Sequence, residues 1–326
     1  MKALQAINFG NPKVLVVGQL DKPTPSDSQI LIKVAYSGIN MADTYIRNGT
    51  FPGLPNPPFT LGMEGSGTIE AMGTKVRGFT VGQLVAFSAT QTYAEYVLVD
   101  IESSENWEVA VPVTTSPLIA GSISMSAKTA FLLIQRLEAS TNSKTVLVHA
   151  AAGSVGGVLV QLLKELNYEV IALVGSEHKK KHVLSLGADR ALNYNTENLL
   201  NIFGTDYPNG IDIIFNATGG DSISRDIELL ANNGHLIWYG FSESNQAQNL
   251  ESSMIKAFMK SIKVELFNGG VVSKNENIAA IVAINKLIIN KQLQIPIHNI
   301  YTLEEGMKAH CDLESGNTIG KLMIKI

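Results

Sequence analysis

Val146-Leu-Val-His-Ala-Ala-Ala-Gly-Ser-Val-Gly-Gly157 decides the fold. Its first three residues form an unbroken apolar run, as in a strand covered on both faces within a parallel sheet. Ala151, Gly153 and Gly156 follow, spaced like the small residues of a dinucleotide-binding turn, with alanine in the first place. The first allows the tight turn, the second lets backbone N–H groups approach a pyrophosphate, and the third lets helix pack on strand. Beyond the turn, Val155, Val158, Leu159, Leu162, Leu163 and Leu166 recur at helical spacing. A glycine triplet alone says little. Between a buried strand and an amphipathic helix it predicts a nucleotide cradle.

The rhythm around this stretch is strand–helix alternation. A helix is expected over Ser124–Leu137, then strands at Thr145–Ala150, Glu169–Val174, Arg190–Tyr194, Ile211–Asn216 and His235–Gly240, with helical patterns between. Lys263–Phe267 reads as a sixth strand at the sheet edge. Such alternation implies a doubly wound parallel α/β sheet with right-handed crossovers. Gly187 stands just past the Lys179–Leu186 helix pattern, where a left-handed cap is expected.

Before residue 123 the chain is β-rich and turn-rich. Strand candidates are Ile30–Ala35, Gly67–Ala71, Leu84–Phe87 and Ala94–Val99. The prolines of Phe51–Pro58 remove donors and fix φ, so that segment reads as a surface loop. After the sixth strand come a helix near Asn277–Ile289 and a short strand, Lys321–Ile326. The tail is expected to return to the first domain, which makes the parallel α/β domain an insertion: 1–122 with 268–326, and 123–267 between them.

Composition agrees with two soluble domains. The chain has 326 residues, 45% hydrophobic and 17% charged, more than one core comfortably serves. No apolar run has the length of a membrane span, and no secretory signal follows Met1. The lone cysteine, Cys311, excludes an internal disulfide and a multi-cysteine zinc site, and fits a reducing cytoplasm. A net charge of −4 gives no reason to expect nucleic acid, despite the basic run around Lys179–Lys181.

That run bears on the choice of dinucleotide. An NAD-preferring fold places an acid on the ribose at the end of the second strand. Here Val170–Val174 ends in Gly175-Ser176, and Lys179 follows. Losing the carboxylate relieves repulsion against a 2′-phosphate, and a lysine supplies the countercharge, so NADP(H) is expected over NAD(H). Successive helical residues diverge by about 100°, so Lys180 and Lys181 read as a solvated face.

His149-Ala-Ala-Ala-Gly-Ser-Val-Gly156 resembles the cofactor turn of the medium-chain dehydrogenase/reductase superfamily. Within it, the chain is most similar to the zinc-independent quinone oxidoreductases related to ζ-crystallin. Gly38–Arg47, Leu61–Gly67, Val81–Val85, Tyr93–Val97, Ala188-Asp189 with Asn193-Tyr194, and Thr318–Lys321 match further landmarks of that family, in order along nearly the whole chain. The resemblance implies a GroES-like catalytic domain carrying an inserted Rossmann domain, with a cleft between. Zinc-dependent relatives have cysteine where this chain has Asn40 and histidine where it has Met63. Neither an Asn amide nor a Met thioether is a usual zinc ligand, so no metal is expected.

Carried over position by position, the resemblance puts Asn40, Tyr45 and Thr129 near the nicotinamide. Ala152, Gly153, Ser154, Val155 and Gly156 would face the pyrophosphate. Gly175, Ser176, Lys179 and Tyr194 would surround the 2′-phosphate, while Thr218 and Tyr239-Gly240-Phe241 end later strands at the ligand crevice. Tyr194 reads equally as a half-buried strand residue, and Thr129 as a helix residue bonded to its own turn. His149 reads as a satisfied strand-end histidine and Glu64 as a backbone anchor. Ser154, Gln83 and Gln91-Thr92 depart mildly from the family pattern. Phe51 departs more, because related reductases often have a tyrosine there and phenylalanine donates no proton.

The expected chemistry is hydride transfer from NADPH to a quinone, with Tyr45 and Asn40 as the candidate catalytic side chains. A reduced quinone holds charge on oxygens that water can protonate, so it asks little of an acid catalyst. Reduction of an electron-poor alkene on the same scaffold is the alternative enzyme reading. An NADPH-binding sensor without turnover is the non-enzyme one, since a fold does not fix a function. The strand Lys263–Phe267, pairing across a twofold axis, would make a homodimer.

Overall fold

Val146, Leu147 and Val148 are fully buried at the centre of a sheet of six parallel strands. The computed structural model describes residues 1–51, 53–54, 56–137, 144–244 and 246–326. Pro52 and Pro55 of the expected proline loop lie outside the described residues. The chain divides into two compact units, Met1–Thr129 with Gly269–Ile326, and Ala130–Asn268.

In the second unit the strands run, across the sheet, Arg190–Asn193, Glu169–Val174, Thr145–Val148, Ile211–Asn216, Leu230–Trp238 and Lys263–Leu266. Every neighbouring pair is parallel. In chain order that is 3-2-1-4-5-6, the Rossmann arrangement. The order reverses between Thr145–Val148 and Ile211–Asn216. Helices Gly156–Glu165, Glu177–Ser185, Leu199–Asp206 and Ser222–Leu229 connect the strands. Leu147, Ile171, Leu192, Phe203, Ile214 and Leu236 belong to one buried cluster, whose loss of apolar surface to water holds the layers together. Gly187 adopts φ +103°, the left-handed cap its position requires.

In the first unit a seven-stranded, mostly antiparallel sheet is organised on the long strand Gln29–Ile39. That strand pairs with Glu64–Met72, with Tyr96–Asp100 and with the chain's last strand, Lys321–Lys325. The tail therefore returns to the first unit, with Leu322 opposite Ile39. A smaller sheet joins Lys2–Ala6 to Leu15–Gln19 and Phe59–Thr60. Two strands run longer than expected, Gln29–Ile39 past Ala35 through Gly38 and Glu64–Met72 before Gly67 through Gly65. A Cβ on Gly67 would come within 2.1 Å of Lys33 O, so close strand approach explains that glycine.

The helix expected over Ser124–Leu137 is not one regular α-helix. Ile123–Ala127 forms a π-turn, in which Lys128 N–H donates to Ile123 O, and α-helix follows over Lys128–Ile134. A carboxylate enters the turn: Met125 N–H donates to Glu64 Oε2 at 2.8 Å. Wider turns of this kind recur where a helix is bent to a functional purpose.

Candidate active site

The nucleotide end is built at the carboxyl ends of the parallel strands, where the strand order reverses. Val148 ends its strand, Ala150 takes φ +48°, and the helix opens at Gly156. Gly156 cannot be larger: a Cβ there would lie 2.4 Å from Ala150 O. The backbone N–H groups of Ala152, Val155 and Gly156 donate to no acceptor among the described residues. Unpaired donors at a helix N-terminus, with the helix dipole behind them, fit the pyrophosphate of a dinucleotide. Gly153 and Ser154 complete the turn.

At the ends of the next two strands, Gly175, Ser176, Lys179 and Tyr194 come together. A Cβ on Gly175 would strike the Tyr194 phenol oxygen at 2.5 Å, and Ser176 caps the helix carrying Lys179 by accepting from Lys179 N–H at 3.3 Å. Tyr194 stays half exposed, and Lys179 is half-buried with its amine pushed below the usual lysine range by burial. Lys180 is not part of a solvated face. Its ammonium lies 2.6 Å from Glu197, because the helix turns it inward toward the third strand.

Thr218 and Tyr239-Gly240-Phe241 meet at the ends of the fourth and fifth strands. Tyr239 N–H donates to Asn216 O, and Glu243 N–H to Thr218 O. Thr218 Oγ1 lies 2.9 Å from Ser222 Oγ and 3.4 Å from His149 Nδ1. His149 Nε2 in turn lies 2.9 Å from the fully buried Asp226 carboxylate. His149 thus sits between a carboxylate and a hydroxyl at the strand end, though its buried Nε2 makes no hydrogen bond, and burial pushes the Tyr239 phenol up.

Asn40, Tyr45 and Thr129 belong to the first unit. Asn40 caps the helix Met41–Asn48, its N–H donating to Asp43 Oδ2 at 2.8 Å, and Tyr45 lies further along that helix. The Asn40 amide is engaged at both ends: Oδ1 accepts from Lys321 Nζ at 2.6 Å, and Nδ2 donates to Glu64 Oε1 at 3.1 Å. Lys321 Nζ also lies 2.6 Å from Glu64 Oε1, both side chains closed to solvent. Gly38 makes room for the pair, since a Cβ there would lie 2.6 Å from that carboxylate oxygen. Thr129 is half-buried, and its hydroxyl bonds to nothing among the described residues, its own turn included. Burial raises the Tyr45 phenol to about 12. Phe51 N–H donates to Tyr45 O at 3.2 Å, which ties the tyrosine-free position to the same helix end.

A zinc ion does not fit this donor set. Asn40 Oδ1 and Glu64 Oε1 already share an ammonium, Met63 offers only a thioether, and no group of three or more His, Cys, Asp or Glu among the described residues is placed to hold a metal.

Residues that motif reading passed over complete the surroundings. Asp43 is fully buried, and burial raises its carboxyl to about 6. Arg47 Nη1 lies 3.0 Å from His310 Nδ1; an arginine only donates, so that nitrogen accepts and the proton sits on Nε2. Lys128 is 2% exposed, and burial lowers its amine to about 8 against the opposing pull of Glu64. Its signal in the sequence is a single lysine in the otherwise small and apolar run Ile123–Ile134.

Known proteins agree with this geometry. Residues 26–122 match the alcohol dehydrogenase GroES-like domain, and residues 154–284 match the zinc-binding dehydrogenase family. A probable quinone oxidoreductase of Schizosaccharomyces pombe is 31% identical, covering 98% of this chain and 96% of its own. Prostaglandin reductase-3 of Mus musculus is 33% identical over 69% of this chain and 58% of its own. The solved structure of a mycobacterial protein complexed with NADPH superposes with a TM-score of 0.89 at 26% identity, over 100% of both chains. No helix among the described residues is long and apolar enough to cross a membrane. With a Rossmann sheet, a GroES-like unit and Asn40 and Met63 in place of metal ligands, this chain belongs to the zinc-independent quinone oxidoreductases of the medium-chain dehydrogenase/reductase superfamily.

Proposed function

We propose that the protein is an NADPH-dependent reductase that transfers hydride to a quinone without a metal. The observation that carries the reading is the acid-free end of the second Rossmann strand. There Gly175 and Ser176 leave room for a 2′-phosphate, and Lys179 is half-buried with a weakened hold on its proton. A phosphate dianion bound beside it would strengthen that hold again. The open N–H groups of Ala152, Val155 and Gly156 hold the pyrophosphate. In the Rossmann unit Thr218 and Tyr239-Gly240-Phe241 are assigned to cofactor binding, and in the first unit Asn40, Tyr45 and Thr129 are assigned to the nicotinamide. When bound, the cofactor supplies the hydride; the chain's own residues orient it and exclude water. The Asn40 amide, fixed at both ends by Lys321 and Glu64, acts as a rigid wall beside Tyr45.

The relative named prostaglandin reductase-3 favours a second reading, reduction of an electron-poor alkene conjugated to a carbonyl. The quinone reading leads because the quinone oxidoreductase relative matches over nearly both whole chains. A homodimer in the cytoplasm completes the proposal. It is supported by the single cysteine and by the edge strand Lys263–Leu266. That strand leaves Leu266 74% exposed, with Phe258 and Met259 at 80% and 87% nearby in sequence.

The test is steady-state oxidation of NADPH and of NADH with 1,4-naphthoquinone, 2-alkenals and cyclic enones, each with and without a chelator. Faster NADPH oxidation with the quinone, indifferent to chelator, supports the proposal. Binding of NADPH with no oxidation across the panel replaces it by a sensor, and a chelator-sensitive alcohol oxidation overturns the metal-free mechanism. Light scattering across a concentration series reads the dimer.

A further inference from the structure

We propose that Lys128 supplies the proton that accompanies the hydride, delivering it from Nζ to the oxygen of the acceptor. This rests on the reductase reading above and names the acid that reading leaves open.

Three observations lead to Lys128. It follows directly on the π-turn Ile123–Ala127, which Glu64 engages through Met125 N–H, and it precedes Thr129 in the chain. Its side chain is almost wholly buried, yet its ammonium donates no hydrogen bond to any described residue. Finally, two polar groups of the turn just before it, Ser124 Oγ and Ser126 Oγ, are buried without partners. Buried polar groups without partners are rare in folded proteins, and several in one turn mark a place where another molecule completes the bonding. Glu64 does not answer for Lys128, because its two oxygens are already shared by Lys321, Asn40 and Met125 N–H. Glu64 lends only a field, which keeps the lysine charged near neutral pH.

The alternatives fail on acidity. Phe51 has no proton to give, and the Asn40 amide is occupied. Burial makes Tyr45 a weaker acid, near 12, whereas Lys128 lies near 8, close to a neutral working pH, where a proton donor is most effective. The step balances. The C4–H bond of NADPH breaks with its electron pair, and the acceptor gains that hydride at carbon or at a quinone oxygen. The Nζ–H bond breaks, and the acceptor's anionic oxygen takes the proton. NADPH is oxidised, the quinone or enone is reduced, and neutral Lys128 regains a proton from water.

Lys128→Met and Lys128→His test this. The methionine is close in shape and relieves a buried charge, so the fold survives. With a cyclic enone, the wild-type kcat falls above about pH 8, and Lys128→Met is slower by roughly 100-fold, as for loss of a general acid, with no such fall. Lys128→His recovers part of the rate, with its decline moved to lower pH. NADPH affinity, read by fluorescence, is unchanged in both. Independently of turnover, 15N-lysine NMR of the cofactor-free protein shows one amine, absent in Lys128→Met, titrating well below the others. An amine that titrates with the others overturns the proposal. So does a Lys128→Met enzyme that keeps the wild-type rate and pH profile while the wild type turns over. A wild type that oxidises no NADPH with any acceptor overturns the reductase reading, and this proposal with it.

Discussion

Lys321 Nζ lies 2.6 Å from Glu64 Oε1, and the two residues, 257 positions apart in the chain, are closed to solvent. The pair joins the last strand to the start of Glu64–Met72. With Asn40 between them and Met125 N–H on the second carboxylate oxygen, it positions both helices that carry the candidate nicotinamide contacts. The ammonium shares two of the oxygens that a cation would have to take, so electrostatics at this point of the fold are balanced without a metal.

Breaking that pair is expected to cost far more than replacing it. Lys321→Met leaves an uncompensated buried carboxylate, and Glu64→Gln an uncompensated buried ammonium; each is expected to lose roughly 3–5 kcal/mol. The double variant is expected to recover most of the loss, because desolvation of both charges disappears together. Urea unfolding of the four proteins in a double-mutant cycle measures the coupling. Additive losses would show that the two charges act separately.

Two buried groups give opposite pH dependences in the same window. The Asp43 carboxyl is raised from 3.8 to about 6, so the folded state keeps its proton longer than the unfolded chain. Stability from this residue therefore falls as pH rises from about 4 to about 6, by on the order of 3 kcal/mol. His310 is lowered from 6.5 to about 3, by burial first and by Arg47 second, so the folded state resists taking a proton. Its contribution is present above 6.5 and is lost as pH falls toward 3. In the wild type the two slopes partly cancel. Asp43→Asn is expected to steepen the loss of stability on acidification, and His310→Gln to flatten or reverse it. Denaturant midpoints at half-unit intervals from pH 4 to pH 7 separate them.

How much of this was legible depends on distance along the chain. The parallel sheet can be read because each strand is a short apolar run buried on both faces, as Val146–Val148 and Val170–Val174 are. The turn that opens the first Rossmann helix can be read because Ala151, Gly153 and Gly156 act within a few residues of one another. The paired strands Lys2–Ala6 and Leu15–Gln19 escape the pattern, since Gln5 in the first and Gly18 in the second interrupt their apolar runs. Gly38 and Gly65 lie beyond the strand patterns read from sequence, and a buried ion pair and close strand approach account for them. Lys321 reaches Asn40 across 281 positions, a contact that no local spacing encodes. The π-turn before Lys128 depends on Glu64, a residue from another element.

Lys128 also leaves a mark on stability. Its amine is lowered from 10.5 to about 8, so the folded state disfavours the charged form. Stability is therefore lower below pH 8 and rises between about 8 and 10.5, by on the order of 3 kcal/mol. Lys128→Met is expected to remove that rise and to be the more stable protein at pH 7. Thermal unfolding of the two proteins between pH 7 and pH 10 checks the sign. A variant less stable at pH 7 would mean that packing around the lysine outweighs its charge.

On the proposed function, Lys179 is expected to decide between the two nicotinamide dinucleotides. Its half-buried amine, pushed down by burial, stands on the helix capped by Ser176. NADH offers hydroxyls at the position where NADPH offers a dianion, so one charge-assisted hydrogen bond separates the two ligands at this residue. Such a bond contributes roughly 1.5–3 kcal/mol, or about 10- to 100-fold in affinity. Lys179→Met is expected to weaken NADPH binding by that factor and to leave NADH binding almost unchanged. In the wild type, NADPH affinity is also expected to drop with rising ionic strength more steeply than NADH affinity, and the variant should lose that difference. Titration calorimetry with both dinucleotides at two salt concentrations measures all four quantities. Equal weakening of both ligands would move the role of Lys179 from the 2′-phosphate to the rest of the nucleotide.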